Sequence, residues 1–575
     1  MNVIGFKEAK CKNCYKCVRT CEVKAIQVKN EQAQIMNDMC ILCGHCLEAC
    51  PQNAKTFISD LEKVKDYIAN GYKTVISIAP SYAGIMRYRD PGQIVSALKK
   101  LGFYQVRETA EGAVYVTNEY ERLIKEGKMR NIITTSCPSV NDLIEIYYPS
   151  LVDEMAPVVS PMIAHGKMIR EVLGDDVKIV FLGPCIAKKR EAEGDERTRG
   201  YIDAVINFEE IEKWLAYEEI NIMDLESMNF DNSNPSVNRL YPISSGVISS
   251  VIAMEEGKDV KQYRKFYVHG IKNCMELFAS MERGEVEGCF IEANVCNGGC
   301  IKGPAVSRKE ISRFKVKLDM EESIKKEAPK KEEFHSMSGE SLSKTFKNRS
   351  PNEPLPSEEE LRKILKKTGK VKKDQELNCG ACGYPTCRDK AIAVYQGKAE
   401  LTMCIPYMHE KAQSMANIVL DTTPNIIIVV DADMKIVEFS GAARSYFHIT
   451  RSEALNKYLY ELIDHTDFEE VMLTHNNIYG KKVDYPDRKL ATLQNIVYIE
   501  EQNNVLGIFQ DVTSVEEKKQ QAYKVKVETI EMAQKVIDKQ MLVAQQIAGL
   551  LGETTAETKV TLTKLRDTIL NDGEE

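Results

Sequence analysis

The chain has 575 residues, with 77 lysines and arginines against 85 aspartates and glutamates, and 18 cysteines. Such a length holds several domains, each with its own core, and a net charge of −8 argues against a nucleic-acid or anionic-membrane surface as the main partner. No stretch approaches the ~18 apolar residues of a membrane span and the first residues carry no signal-peptide core, so a cytoplasmic setting is expected, where cysteines read as metal ligands rather than disulfides.

Eight cysteines fall in two runs of one spacing, Cys11, Cys14, Cys17, Cys21 and Cys40, Cys43, Cys46, Cys50. In two-cluster ferredoxins each such run gives three thiolates to one cubane and its fourth to the other. The expected sets are therefore Cys11, Cys14, Cys17 with Cys50, and Cys40, Cys43, Cys46 with Cys21, in an α+β bacterial-type ferredoxin domain over 1–60. Pro51 follows the second run, whereas Glu22 stands at the matching place in the first. A zinc module is the alternative, although zinc sites usually pair two separated CxxC units.

From 72 to 310 short β-branched runs such as "TVISIA" and "VKIVFLG" alternate with helical patterns such as "GQIVSALKKLGF". This alternation predicts an α/β domain with largely parallel sheets, whose strand-exit loops hold ligands. Residues 311–356, with "KKEAPKKEEF" and "SPNEPLPS", have the composition of a linker. Over 357–412, a helix opening at Pro356-Ser357-Glu358 leads to Cys379, Cys382, Cys387 and Cys404, a third iron–sulfur module with zinc as runner-up. Residues 413–514 read as a small α+β sensor-like domain, its first hairpin turning at Asp431 to Asp433. In 515–575 the apolar residues Ile530, Ile537, Ala544 and Leu551, with Ala533 and Ile547 between them, predict a signalling helix that pairs as a coiled-coil homodimer or packs within the chain. Gly552 ends it and Thr554 caps a last helix.

Six cysteines remain: Cys137, Cys185, Cys274, Cys289, Cys296 and Cys300. Cys296 and Cys300 flank Asn297-Gly298-Gly299, whose glycines let backbone amides approach sulfur. Cys137 and Cys185 each adjoin a proline on a strand-exit loop, and four thiolates would complete a cubane. From the residues alone, Cys137 and Cys185 as buried structural cysteines is an equal reading.

Resemblance adds to this. "TTSCPSV", "GPCIAKKRE" and "GCFIEANVCNGGCIKGP" resemble, in order, the three active-site segments of the iron-only (FeFe) hydrogenases, and "SIAPSYAG" resembles the loop that opens their catalytic domain. The resemblance implies that Cys137, Cys185, Cys296 and Cys300 hold the cubane of an H-cluster. Cys300 would also bridge to a two-iron centre with CO, cyanide and azadithiolate, Lys188 would donate to a cyanide, and Pro80, Ser81, Gly183, Pro184 and Asn294 would line the cofactor. The implied reaction is H2 ⇌ 2H+ + 2e−, with three further 4Fe-4S clusters carrying electrons to a redox partner such as ferredoxin. Cys274 and Cys289 match no ligand and are expected in the core.

Against that pattern, Ser136 stands where catalytic members have a proton-relaying cysteine, Gly183 and Asn294 replace two methionines, and Glu119 matches loosely the first relay glutamate. An alcohol is a far weaker acid than a thiol of pKa ~8.5, so slow turnover is expected. "CGACGYPTCRDKAIAVYQGKAELTMC" resembles the four-cysteine iron–sulfur domain of reductases and regulators, and "TTPNIIIVVDADMKIVEFSGAARSYFHIT" with "GIFQDVT" resembles a PAS domain, whose Asp511-Val512-Thr513 matches the usual exit into a signalling helix. The whole order resembles the PAS-bearing sensory FeFe-hydrogenases. None of the eight histidines follows Thr513, so the implied output is a partner kinase or phosphatase. Two alternatives stand beside a hydrogen sensor: a competent ferredoxin-linked hydrogenase, and a non-enzymatic iron–sulfur switch without the two-iron centre.

Overall fold

A computed structural model describes residues 2–255, 263–306, 312–326, 334–455, 457–486, 489–548 and 556–571. The chain divides into two compact units, Met1–Met408 and His409–Glu575.

In the first unit the two cysteine runs are built alike. Each enters a five-residue helix, Lys16–Thr20 or His45–Ala49, through a left-handed residue, Tyr15 (φ 54°) or Gly44 (φ 81°). Each ends with the amide of a residue four further on donating to the last sulfur, Ala25 to Cys21 and Ala54 to Cys50, both at 3.3 Å. Glu22 therefore leaves the turn as Pro51 has it. Two antiparallel pairs, Ile4–Phe6 with Lys55–Phe57 and Ile26–Lys29 with Gln32–Ile35, close this small α+β part.

Two parallel sheets form the next part. One is ordered Gln105–Glu108, Thr74–Ile78, Lys178–Leu182, Ala204–Ile206, and the other Arg264–His269, Cys289–Asn294, Ile132–Ile133. The central strands are continuous apolar runs because helices cover both faces: Thr74–Ile78 and Cys289–Asn294 are buried throughout. Parallel register puts the carboxyl ends of neighbouring strands at one edge. The loops after Ile78 and Leu182 thus emerge together, as do those after Ile133 and Asn294.

The expected linker is largely structured. Arg313–Lys326 is a helix whose Val316 and Met320 are buried against Leu240, Ile243 and Ile301. Leu342 is buried and its carbonyl accepts from the Val159 amide at 2.9 Å. Lys344 pairs with Asp195 (3.0 Å), and Arg349 with Asp142 (2.7 Å) and Glu145 (3.0 Å). Composition misjudged the segment because its basic residues answer buried carboxylates on the α/β part; it is anchored by charge as much as by apolar burial. The helix Glu358–Lys367 begins as expected with a capping box of Ser357 and Glu360. The expected boundary at 412/413 falls inside one helix, Ile405–Thr422.

The second unit holds a five-stranded antiparallel sheet, ordered Ile436–Phe439, Ile426–Val430, Asn504–Asp511, Leu490–Ile499, Ile478–Tyr485. Its first hairpin turns where expected, with Asp431 Oδ1 accepting from the amides of Asp433 and Lys435 at 3.0 and 2.9 Å. Phe439 is fully buried, in the same core as Tyr446 and Phe447. Asp511 Oδ1 accepts from the Thr513 amide (2.8 Å), opening a 36-residue helix, Thr513–Ala548. Ile530, Ile537 and Ala544 are half-buried along it, whereas Ala533 and Ile547 are exposed. Leu551, Gly552 and Thr554 lie outside the described residues.

Candidate active site and cysteine centres

Three strand-exit loops meet beneath the ferredoxin-like part. Cys137 caps the helix Pro138–Tyr147, with Thr134, Thr135 and Ser136 between it and the strand Ile132–Ile133. Cys185 precedes the helix Ala187–Glu193, and Cys296 and Cys300 follow Cys289–Asn294. One enclosed cavity is lined by Cys137, Cys185, Cys296 and Cys300 together with Ser136, Lys188 and Asn294. Four sulfurs 163 positions apart at the extremes are thus brought together by the topology of the two sheets. Gly299 makes the last turn: at φ +92°, a Cβ there would lie 2.4 Å from the Pro242 carbonyl oxygen.

The electrostatics of this cavity suit a cationic centre. Burial pushes the Cys185 thiol up to about 11 and raises Cys296 and Cys300 further, and each neighbouring thiol opposes the next. Lys188, 8 % exposed, is the nearby cation that favours ionisation of Cys185 and Cys300. A single ammonium does not balance four thiolates; a metal centre deprotonates coordinating thiols outright. The donor set therefore fits an iron–sulfur group. Ser81 Oγ, fully buried at the exit of the neighbouring strand Thr74–Ile78, has no hydrogen-bond partner among the described residues and does not line this cavity.

Lys188 Nζ donates to Glu191 Oε2 at 2.7 Å and to the Ser136 carbonyl at 3.3 Å. The Ser136 hydroxyl is 3.1 Å from the Tyr120 hydroxyl, which in turn accepts from the Thr135 amide at 3.0 Å. Asn294 Nδ2 donates to Glu292 Oε1 at 3.3 Å, and burial lifts the Glu292 carboxyl to about 7. Glu119 is the expected relay residue that the fold does not bring to the cavity. Its carboxylate accepts from Arg122 Nε at 2.8 Å, because the neighbouring Tyr120 occupies the inward face of the helix. Pro80, Gly183 and Pro184 also stand back from the lining. Gly183 packs on Phe181, and the Pro184 carbonyl accepts from the Ala305 amide. Sequence reasoning missed Tyr120, Glu191 and Glu292. Glu191 had a legible signal, three residues beyond Lys188 on one helix; Tyr120 and Glu292 had none apart from the fold.

The other clustered cysteines fall into groups that act on one another. Burial raises the Cys43 thiol, and Cys21, Cys46 and Cys40 raise it further, so these four act on one another. Cys17 feels Cys11 and Cys14. Cys43 also borders the central cavity. Cys379, Cys382, Cys387 and Cys404 line one pocket with Lys370 and Lys390, and Lys370 Nζ donates to Cys404 Sγ at 3.3 Å. Among the described residues no three His, Cys, Asp or Glu side chains approach the spacing that holds a single metal ion. Cys274 and Cys289 are core, with Cys274 Sγ donating to the Asn294 carbonyl.

Two parallel sheets thus offer four cysteines and a lysine to one cavity, beside paired cysteine runs. Residues 72–304 match the iron only hydrogenase large subunit, C-terminal domain. Residues 4–51 match the 4Fe-4S dicluster domain, 375–406 an Fe-S cluster family and 417–512 the PAS fold. The chain thus resembles iron hydrogenases over its α/β part, beside iron–sulfur domains and a PAS domain, an order consistent with the PAS-bearing sensory type. It is 25% identical over 391 residues to iron hydrogenase 1 of Clostridium pasteurianum, covering 51% of this chain and 68% of that protein. It is 26% identical over 262 residues to the periplasmic Fe hydrogenase large subunit of Nitratidesulfovibrio vulgaris, covering 37% of this chain and 61% of that one. An FeFe-hydrogenase structure from Chlamydomonas reinhardtii matches with a TM-score of 0.41 at 18% identity, over 51% of this chain and all of that one. No described helix is long and apolar enough to cross a membrane.

Proposed function

We propose that the protein is a hydrogen sensor: it interconverts H2 with protons and electrons slowly and reports the outcome through its PAS domain and helix to a partner kinase or phosphatase. The observation that carries this reading is the cavity in which Cys137, Cys185, Cys296, Cys300 and Lys188 meet with a serine, not a thiol, at position 136. When bound, an H-cluster would supply the open metal position and the base at which H2 is split heterolytically.

The chain's own residues do the rest. Cys137, Cys185, Cys296 and Cys300 would hold the cubane of that group, and Asn294 would line it. Lys188, held by Glu191, offers its remaining protons to an anionic ligand. Ser136 passes protons only as a member of a hydrogen-bonded chain with Tyr120, which slows turnover. Cys11, Cys14, Cys17 and Cys50, then Cys40, Cys43, Cys46 and Cys21, then Cys379, Cys382, Cys387 and Cys404 would hold three 4Fe-4S clusters, which would supply one-electron chemistry toward a ferredoxin-like partner. Signalling requires two arrangements of the helix after Thr513, in a homodimer, whose balance depends on cluster charge.

The test is infrared spectroscopy of the chain loaded with its cofactors, together with its rate of H2 evolution. CO and cyanide bands with a low rate support the sensor; bands with a rate equal to that of catalytic hydrogenases support a working enzyme instead. Absence of the bands leaves a non-enzymatic redox switch.

A further inference from the structure

The four-cysteine segment is not a free appendage of the first unit. Its loop Cys379 to Tyr384 is seated on the helix Lys16–Thr20, which joins Cys17 to Cys21. Arg19 Nη1 donates to the Ala381 carbonyl at 3.1 Å, and the Val28 amide donates to the Lys398 carbonyl at 2.8 Å. Gly383, at φ +97°, lies so close that a Cβ would stand 2.8 Å from Val18 Cγ1 and 3.2 Å from the Arg19 amide nitrogen. Tyr384 fills the seam, 5 % exposed, in one apolar core with Val18, Cys17, Cys21 and Cys382. Its hydroxyl is buried without a hydrogen-bond partner among the described residues, so the ring acts there by its shape and position. The phenol lies in the fields of both Cys382 and Cys21, and the Lys24 ammonium likewise.

Cys21 belongs with Cys40, Cys43 and Cys46, and Cys43 borders the cavity of Cys137, Cys185, Cys296 and Cys300. The second ferredoxin-type set therefore faces two ways. At the far set, Lys370 and Lys390 are both buried, Lys370 donating directly to Cys404 Sγ. Donors to sulfur and nearby positive charge stabilise the reduced form of a cluster.

We propose that the seam between Gly383, Tyr384 and the helix Lys16–Thr20 is an intramolecular electron-transfer contact, with Tyr384 as a positioning residue. The set Cys21, Cys40, Cys43 and Cys46 is the junction at which electrons from the active site divide between an outside partner and the C-terminal set. In each event one electron leaves the junction cluster, which is oxidised, and reduces the cluster of Cys379, Cys382, Cys387 and Cys404; no bond or proton changes. H2 oxidation or an added reductant supplies the electron. The inference rests on the reading that these cysteines hold clusters, but not on hydrogen sensing.

The test uses the full chain reconstituted with iron and sulfide, without the two-iron centre, reduced with dithionite and examined by electron paramagnetic resonance. The wild type is expected to show magnetic interaction between the C-terminal cluster and a ferredoxin-type cluster, which disappears in Cys404→Ser. Gly383→Val should abolish it with iron content unchanged, and Tyr384→Phe should keep it, since the hydroxyl has no partner. A wild-type spectrum equal to that of Cys404→Ser plus the signal of one isolated cluster would overturn the proposal even if Gly383→Val does not fold. So would an interaction that survives in folded Gly383→Val. Because no H2 is used, failure of the sensor reading leaves this result unaffected.

Discussion

Replacing Lys188 by methionine separates its structural role from its chemical one. The Lys188 and Glu191 side chains are 11 % and 2 % exposed and meet at 2.7 Å, so the variant leaves a buried carboxylate. Removing one partner of a buried pair costs about 3–5 kcal/mol. The low end applies here, because Ser160 Oγ still donates to the same oxygen at 3.0 Å and Lys344 stands 3.9 Å from the other. A loss of ~3 kcal/mol in a domain of this size lowers its unfolding temperature by roughly 6–12 °C. The assay is built in: Trp214 is the chain's one tryptophan and lies buried in the core of the α/β part, edge-on to Phe103. Its fluorescence follows that part alone. Adding Glu191→Gln removes the orphaned charge and should recover at least half of the loss, while hydrogen turnover stays absent in both variants. An unchanged transition in Lys188→Met, or a double variant less stable than the single, refutes the reasoning.

Ser136→Cys places a thiol of pKa ~8.5 within reach of Tyr120 and should raise H2 evolution at least ~10-fold, within the range of positioned acid–base groups; an unchanged rate removes the serine as the cause of slow turnover. His165 is fully buried between Ser77 (2.8 Å) and Glu111 (3.1 Å), with Arg107 and Glu108 also facing it. Burial holds its imidazole below the ordinary value despite Glu111, and Glu111 is itself held low, against its burial, by His165 and Arg107. A depressed folded-state pKa means stability that is complete above the unfolded value, ~6.5 for histidine, and is lost as pH falls through the folded one. Unfolding followed at Trp214 should therefore show stability falling between pH 7 and 5.5 in the wild type and less steeply in His165→Gln. Equal slopes would contradict this.

The cysteine runs were legible because cluster ligation from one segment leaves a fixed spacing, and the structure repeats even the sulfur-directed amides of Ala25 and Ala54. Cys137 and Cys185 were not legible from spacing, since each stands alone until the carboxyl edges of two separate parallel sheets bring their loops to one cavity. Resemblance bridged that gap. Glu119 and Tyr120 show the finer limit: one residue of helical phase decides which faces Ser136, and phase follows from packing. The segment 311–356 misled because hydrophobic content was weighed without the acidic partners that receive Lys344 and Arg349.

That strap has a practical consequence for dissecting the molecule. A minimal fragment cut after residue 304, where the hydrogenase-domain match ends, would lose Lys344 and Arg349 and leave Asp142, Glu145 and Asp195 to Arg190 and Arg197 alone. Excision belongs beyond residue 350, and a shorter piece that precipitated would say nothing against the autonomy of the domain.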